Sequence, residues 1–250
     1  MPLIGSSAPN PHFMGCSNAG IWYLYKCIII LRGNPVSESG PKFRREPAEQ
    51  RKEALILSTL SLIAEKGVRG ATVRAIASRA DVTQGLIRHH FSSKEDLITA
   101  AYEHHMSHMT DLTAAPGAAS HHSCKSRLAA FVTNGLKPPV VDPRSVSLWA
   151  GFLNKIREDP RMQAIHEQTY HDFRDRLEAL IADALTEAEI DTPSSQLRGL
   201  AIACNAVIDG LWMEGGALPG AFETGELPEI GLRSVGAIIG LDLEETENRS

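Results

Sequence analysis

The chain has 250 residues, 43% of them apolar and 22% charged, which is enough for a proper hydrophobic core and unlike a disordered or fibrous sequence. Its formal net charge of −5 excludes a protein coated along its length with nucleic acid. The average hides an asymmetry: residues 42–94 carry eleven Lys/Arg against five Asp/Glu, whereas residues 113–250 carry twelve against twenty. A basic block followed by an acidic one implies that one part meets a polyanion and the other does not.

Residues 1–41 are rich in Gly, Ser, Pro and Asn and read as a dispensable, disordered N-terminal extension, as an upstream start codon would add. Its apolar run from Ile21 to Leu31 is interrupted by Lys26 and falls short of the ~20 residues a membrane span needs. It also lacks the basic start and small-residue cleavage site of a secretory signal. Cys16, Cys27, Cys124 and Cys204 form no C-x-x-C pair, so isolated, reduced thiols in a cytoplasmic protein are expected.

From Pro47 the pattern turns helical, with Ile56, Leu60, Ile63 and Ala64 on one stripe and Gly67 and Gly70 ending the helix. Thr72 caps a second helix that buries Val73, Ile76, Ala77 and Ala80. Thr83 caps a third, from Gln84 to about His90, with Leu86, Ile87 and Phe91 inward. Ser93-Lys94-Glu95-Asp96 opens a fourth, running to about Leu112. A linker over 113–123 precedes helices expected at 124–137, 143–158, 160–188, 194–215 and 227–239, punctuated by Pro and Gly turns. No strand pattern or internal repeat is present, so the fold class is all-α. Three helices are thus expected over 42–98, a second helical domain over 113–240 and an acidic tail over 241–250.

The function rests on residues 72–91, TVRAIASRADVTQGLIRHHF, two short capped helices around a tight turn. In a helix-turn-helix the second helix enters the major groove. Ala75, Ala77 and Ala80 allow the close crossing, and Val82, Leu86 and Ile87 supply the inner side. The outer side offers Thr83, Gln84, Arg88 and His89, where Gln suits adenine and Arg suits guanine. Gly85 lets the backbone approach DNA closely.

Residues 51–98 resemble the DNA-binding domain of the TetR family of bacterial repressors, carried by Thr72, Ile76-Ala77, Val82, Gly85, Phe91 and Lys94. Two departures stand out. Asp81 occupies a turn position that is usually Gly and must accept a left-handed backbone, and Arg88 and His90 stand where the family usually has Tyr. Further on, Trp149-Ala150-Gly151-Phe152, Leu197-Arg198-Gly199-Leu200 and Ile208-Asp209-Gly210-Leu211-Trp212 resemble the BetI-type branch, named for a choline-responsive repressor of glycine betaine synthesis. The resemblance implies a homodimer joined through its last two long helices, and a ligand that alters the separation of the recognition helices. An imperfect palindromic operator follows, read by helices about 34–36 Å apart.

Lys42, Arg44 and Arg45 are candidate phosphate or minor-groove contacts, Arg74 a further phosphate contact, and Lys94 sits at a helix N-terminus suited to phosphate. The DNA-contact set is thus Lys42, Arg44, Arg45, Thr72, Arg74, Thr83, Gln84, Gly85, Arg88, His89, His90 and Lys94. For the effector, choline or a related quaternary ammonium compound, the candidates are Trp149, Phe152, Tyr170, Phe173 and Trp212, with His166 and Asp209 as polar partners. His104, His105 and His108 are read as a solvated helix face, since a zinc protease would carry Glu where His105 stands. No phosphate loop, dinucleotide fingerprint, nucleophile elbow or zinc signature is present, so neither an enzyme nor a cofactor is expected. The competing reading keeps the helix-turn-helix but lets the C-terminal domain only dimerise or bind a protein; a closed core would favour it and an aromatic cavity would oppose it.

Overall fold

A computed structural model describes residues 48–115 and 123–244. Its elements are α1 (Ala48–Gly70), α2 (Val73–Arg79), α3 (Gln84–His90), α4 (Lys94–Ala114), α5 (Cys124–Gly135), α6 (Pro143–Glu158), α7 (Pro160–Glu187), α8 (Ser194–Ala217) and α9 (Glu226–Ile239). No strand occurs among the described residues. The expected extension over 1–41, with Lys42, Arg44 and Arg45, lies outside the described residues.

Local chemistry sets these boundaries. The side chains of Thr72, Thr83 and Ser93 accept from the backbone N–H groups of Ala75, Leu86 and Asp96, at 3.2, 3.4 and 3.0 Å. Each satisfies a donor that the first turn of a helix leaves unpaired. Asp159 does the same for α7, accepting from the N–H of Arg161 and Met162. Gly67, at φ 69°, breaks α1 in a conformation that a side chain resists, so the last turn before Gly70 is offset from the rest.

Two apolar clusters hold the helices. The first joins α1–α4 to α6 and the start of α7, with Leu55, Ile63, Ile76, Ile87, Leu97, Tyr102 and Phe152 buried together. The second joins α5, α7, α8 and α9 around Leu128, Phe131, Leu177, Ile181, Ile208 and Val235. Gly231 brings α9 close to α5, since a Cβ there would lie 2.2 Å from Leu136 Cδ1. The helix-turn-helix therefore does not close its core alone: Leu148 and Phe152 of α6 complete it.

α4 and α7 run side by side in the same direction. They are tied at three levels, by Asp96–Arg161, by Tyr102–His166, and by Asp111–Arg176.

Candidate nucleic-acid interface and effector cavity

α2 is fixed to α1 by Arg79, whose guanidinium donates to Glu65, at 2.7 Å for the Nη2–Oε2 contact, and to the Ser61 hydroxyl at 2.6 Å. The Arg79 hydrogen bond holds the Glu65 carboxyl down at about 2, well below its usual 4.5. Asp81, between α2 and α3, adopts φ 52°, the left-handed conformation the turn demands. Asp tolerates it better than most side chains.

α3 buries Ile87 and presents Gln84, Gly85, Arg88 and His89 to solvent. Thr83 is exposed too, though its hydroxyl also serves the cap. His90 is half-buried against the His89 ring, 5.2 Å between centroids. Thr72 and Arg74 are exposed at the start of α2, and Lys94 opens α4. The predicted contacts within the described residues thus gather on the two short helices and the α4 N-terminus. There, backbone N–H groups, hydroxyls and cations can all meet phosphate.

The body contains a cavity of about 190 Å³ between α4, α6, α7 and α8. One water needs only ~10–15 Å³ of such space, so the cavity has room for a small organic molecule. Trp149, Tyr170, Phe173, Asp209 and Trp212 all line it. Trp149 and Trp212 meet edge to face with centroids 6.3 Å apart, and the Trp212 indole N–H donates to the Val140 carbonyl at 3.0 Å. Phe173 leans on Phe131, 5.2 Å away. These contacts leave the rings little freedom.

Among the described residues Asp209 is the single carboxylate of this lining. Its Oδ2 accepts from the Tyr170 hydroxyl and, at 3.0 Å, from Asn205 Nδ2. Burial pushes the Asp209 carboxyl above its usual range, and burial together with the adjacent Asp209 raises the Tyr170 hydroxyl to about 12. Asn205 Oδ1 is buried with no hydrogen-bond partner among the described residues. A half-buried carboxylate among aromatic faces favours a cation over a neutral or anionic guest.

Two of the predicted effector residues stand elsewhere. Phe152 is fully buried against Tyr102, with ring centroids 4.9 Å apart, and belongs to the core beneath the DNA-binding helices. His166 lies one turn before Tyr170 and points its Nδ1 at the Tyr102 hydroxyl, 2.6 Å away. Met106, Met109, Thr110 and Thr113 of α4, with Thr169 and Ile208, complete much of the wall.

His105 also lines the cavity, which corrects the expectation of a solvated histidine face: it is 8% exposed. Burial, with the charges of His108 and His104 behind it, lowers its imidazole to about 4. The signal was present in the inward stripe Ile98, Tyr102, His105 and Met109, whose spacing of three and four outweighs the polarity of one member. The His104 and His108 rings stack with centroids 6.3 Å apart. Among the described residues no group of three or more His, Cys, Asp or Glu could hold a metal ion, and no helix is long and apolar enough to cross a membrane.

A reading head of two capped helices, sharing its core with the helices that wall a cavity, defines a DNA-binding transcriptional regulator. Residues 55–101 match the model of bacterial regulatory proteins of the tetR family, and residues 125–240 match the C-terminal model of BetI-type transcriptional repressors. The chain belongs to the TetR family and has a BetI-type C-terminal domain. It is a transcriptional regulator, not an enzyme.

The HTH-type transcriptional regulator BetI of Burkholderia lata is 29% identical over 176 residues, covering 70% of this chain and 87% of that protein. The crystal structure of a transcriptional regulator from Pseudomonas aeruginosa PAO1 superposes with a TM-score of 0.71 at 27% identity, covering 80% of this chain and 95% of the other. A regulator from Saccharomonospora viridis, solved in complex with choline, shares the fold at 18% identity with a TM-score of 0.61, covering 73% and 94%.

Proposed function

We propose that the chain is a ligand-responsive repressor that binds a palindromic operator as a homodimer and is released by a small organic cation of the choline kind. The observation that carries this reading is Asp209, a half-buried carboxylate set in a cavity walled by Trp149, Tyr170, Phe173 and Trp212. Aromatic faces and a carboxylate together suit a quaternary ammonium, whose charge is spread over methyl groups and only weakly held by water. The choline in the Saccharomonospora viridis relative supports the same ligand class.

Predicted DNA contacts are Thr72, Arg74, Thr83, Gln84, Gly85, Arg88, His89, His90 and Lys94, joined by Lys42, Arg44 and Arg45 ahead of α1. Support for a dimer comes from α8. Gly199, Ile202, Ala203, Ala206, Gly210 and Met213 recur at helical spacing and are exposed, a stripe of small and apolar residues suited to a close helix pair. The open cavity weighs against a C-terminal domain that only dimerises.

The test is a fluorescence-anisotropy titration on an operator selected from random duplexes by the purified protein, at two salt concentrations and with or without choline. Binding that weakens steeply with salt and is reversed by choline supports the whole reading. Binding indifferent to choline discards the inducer and keeps the regulator.

A further inference from the structure

α4 carries both ends of the system. Its first turn, capped by Ser93, follows the recognition helix directly, and its later turns present His105, Met106, Met109, Thr110 and Thr113 to the cavity. α7 faces it across three ties of unequal character. Asp96–Arg161 and Asp111–Arg176 are largely exposed, with arginine side chains 67% and 49% accessible, and such pairs contribute little. The middle tie, between the Tyr102 hydroxyl and His166 Nδ1 at 2.6 Å, is more sheltered: Tyr102 is fully buried and meets Phe152 edge to face in the core that also holds Ile76 and Ile87.

On its α7 side the same tie reaches the cavity. His166 is one helical turn from Tyr170, their rings 5.3 Å apart, and the Tyr170 hydroxyl donates to Asp209. A cation held at Asp209 would therefore sit beside the Tyr170 hydroxyl, whose ring adjoins His166.

We propose that the part-buried Tyr102–His166 hydrogen bond is the element that passes occupancy of the cavity to the DNA-binding helices, with both residues acting as positioning residues. The inference rests on the reading of the cavity as a cation site. It makes a distinct claim, because coupling is a quantity separate from either affinity: the ratio of operator Kd with saturating ligand to operator Kd without it.

The experiment measures that ratio by anisotropy, with choline as the probe, for the wild type and for Tyr102→Phe, His166→Phe and Arg161→Ala. Choline affinity of the free proteins is measured by calorimetry, and folding is checked by thermal melts. Tyr102→Phe removes a single oxygen. It is expected to keep ligand-free operator affinity and choline affinity within about threefold while the ratio falls at least about fivefold. His166→Phe, which keeps a ring beside Tyr170, is expected to lower the ratio likewise, and Arg161→Ala to leave it unchanged. An undiminished ratio in Tyr102→Phe, or an equal loss in Arg161→Ala, overturns the inference while the cation site stands. A fall in ligand-free operator affinity as large as the fall in the ratio marks a merely structural tie and overturns it too. If choline has no effect on the wild type, the cavity reading fails and takes this inference with it.

Discussion

The hydroxyl of Tyr170 on α7 donates to the carboxylate of Asp209 on α8, so the acidic group of the cavity wall also ties these two helices together. Asn205, a turn earlier on α8, supplies a second donor at 3.0 Å. Hydrogen-bonded in this way the carboxylate is satisfied but costly, since burial disfavours its charged form. A cation beside it, as proposed, would offset that cost.

Asp209→Asn retains the size and much of the hydrogen bonding while removing the charge. It is expected to weaken choline binding by about 10- to 100-fold, or about 1.4–2.8 kcal/mol, and to leave ligand-free operator affinity unaltered. Thermal stability should stay level or rise, because an isosteric amide relieves the cost of a buried charge. Calorimetry reads the first effect. Tryptophan fluorescence offers a second probe, since Trp149 and Trp212 both line the cavity. Unchanged choline affinity in this variant removes Asp209 from the site.

The helix boundaries were legible because each is written in one or two residues: Thr72, Thr83, Ser93 and Asp159 accept from their own first turns, and Pro143 and Pro160 start helices where a missing N–H does no harm. The cavity was only half legible. Periodicity says that a side chain faces inward, not whether it meets another side chain or a void. Trp149 and Phe152 are one turn apart on α6, yet Trp149 lines the cavity while Phe152 is covered by Tyr102. The contribution of α4, through His105 and the methionines Met106 and Met109, was hidden because that stretch reads as a link leaving the DNA-binding domain and His105 as part of a solvated face.

Sequence readout and phosphate binding should separate cleanly between Arg88 and Lys94. Arg88→Ala is expected to cost about 1–3 kcal/mol on the selected operator and to relax preference at one base pair per half-site. Lys94→Ala should weaken all duplexes alike and reduce the slope of log affinity against log salt by roughly 0.9 per subunit. Anisotropy across a salt series, on the operator and on a scrambled duplex, distinguishes them. A sequence-independent loss for Arg88→Ala would place that side chain on the backbone instead of a base edge.

Asp81 tests the turn. Its φ of 52° is natural for glycine and tolerated by Asp, but opposed by a β-branched side chain. Asp81→Gly should leave stability within about 0.5 kcal/mol or raise it, and Asp81→Val should lower it by about 1–2 kcal/mol. Denaturant midpoints decide the order, and a Val variant as stable as the Gly variant would mean the turn adopts another backbone.

His105 predicts a pH dependence of defined sign. Its imidazole is held at about 4 in the folded protein, against an ordinary 6.5 in the unfolded chain. Below 6.5 the unfolded state takes up a proton that the folded state refuses, so stability falls as pH drops from 6.5 towards 4 and is insensitive to this group above that window. The full loss is about 3 kcal/mol. Glu65 works at lower pH, its ion pair with Arg79 being lost between 4.5 and about 2. Replacing His105 by Leu should therefore make the melting-temperature profile shallower between pH 6.5 and 4, with His104, His108 and His166, which burial also lowers, keeping the remainder, and leave the decline below it. A variant profile parallel to the wild type across that range would show that His105 reaches water on protonation.

The α8 stripe makes the last prediction. Ala206 is exposed at its centre, with Ala203 and Gly210 a turn away on either side, and a Cβ added at Gly199 or Gly210 would meet nothing within 4 Å. In the proposed homodimer such a surface would let a second α8 approach closely and cover Ile202 and Met213. Ala206→Glu places one carboxylate against its symmetry mate at the centre of that contact, where like charges and desolvation add. The variant should keep its helical circular dichroism, because the site is exposed in the single chain, and should sediment as a monomer. Operator affinity should fall by at least about 100-fold, because each half-site is then held alone. A variant that still sediments as a dimer would move the interface away from α8, and with it the geometry that spaces the two recognition helices.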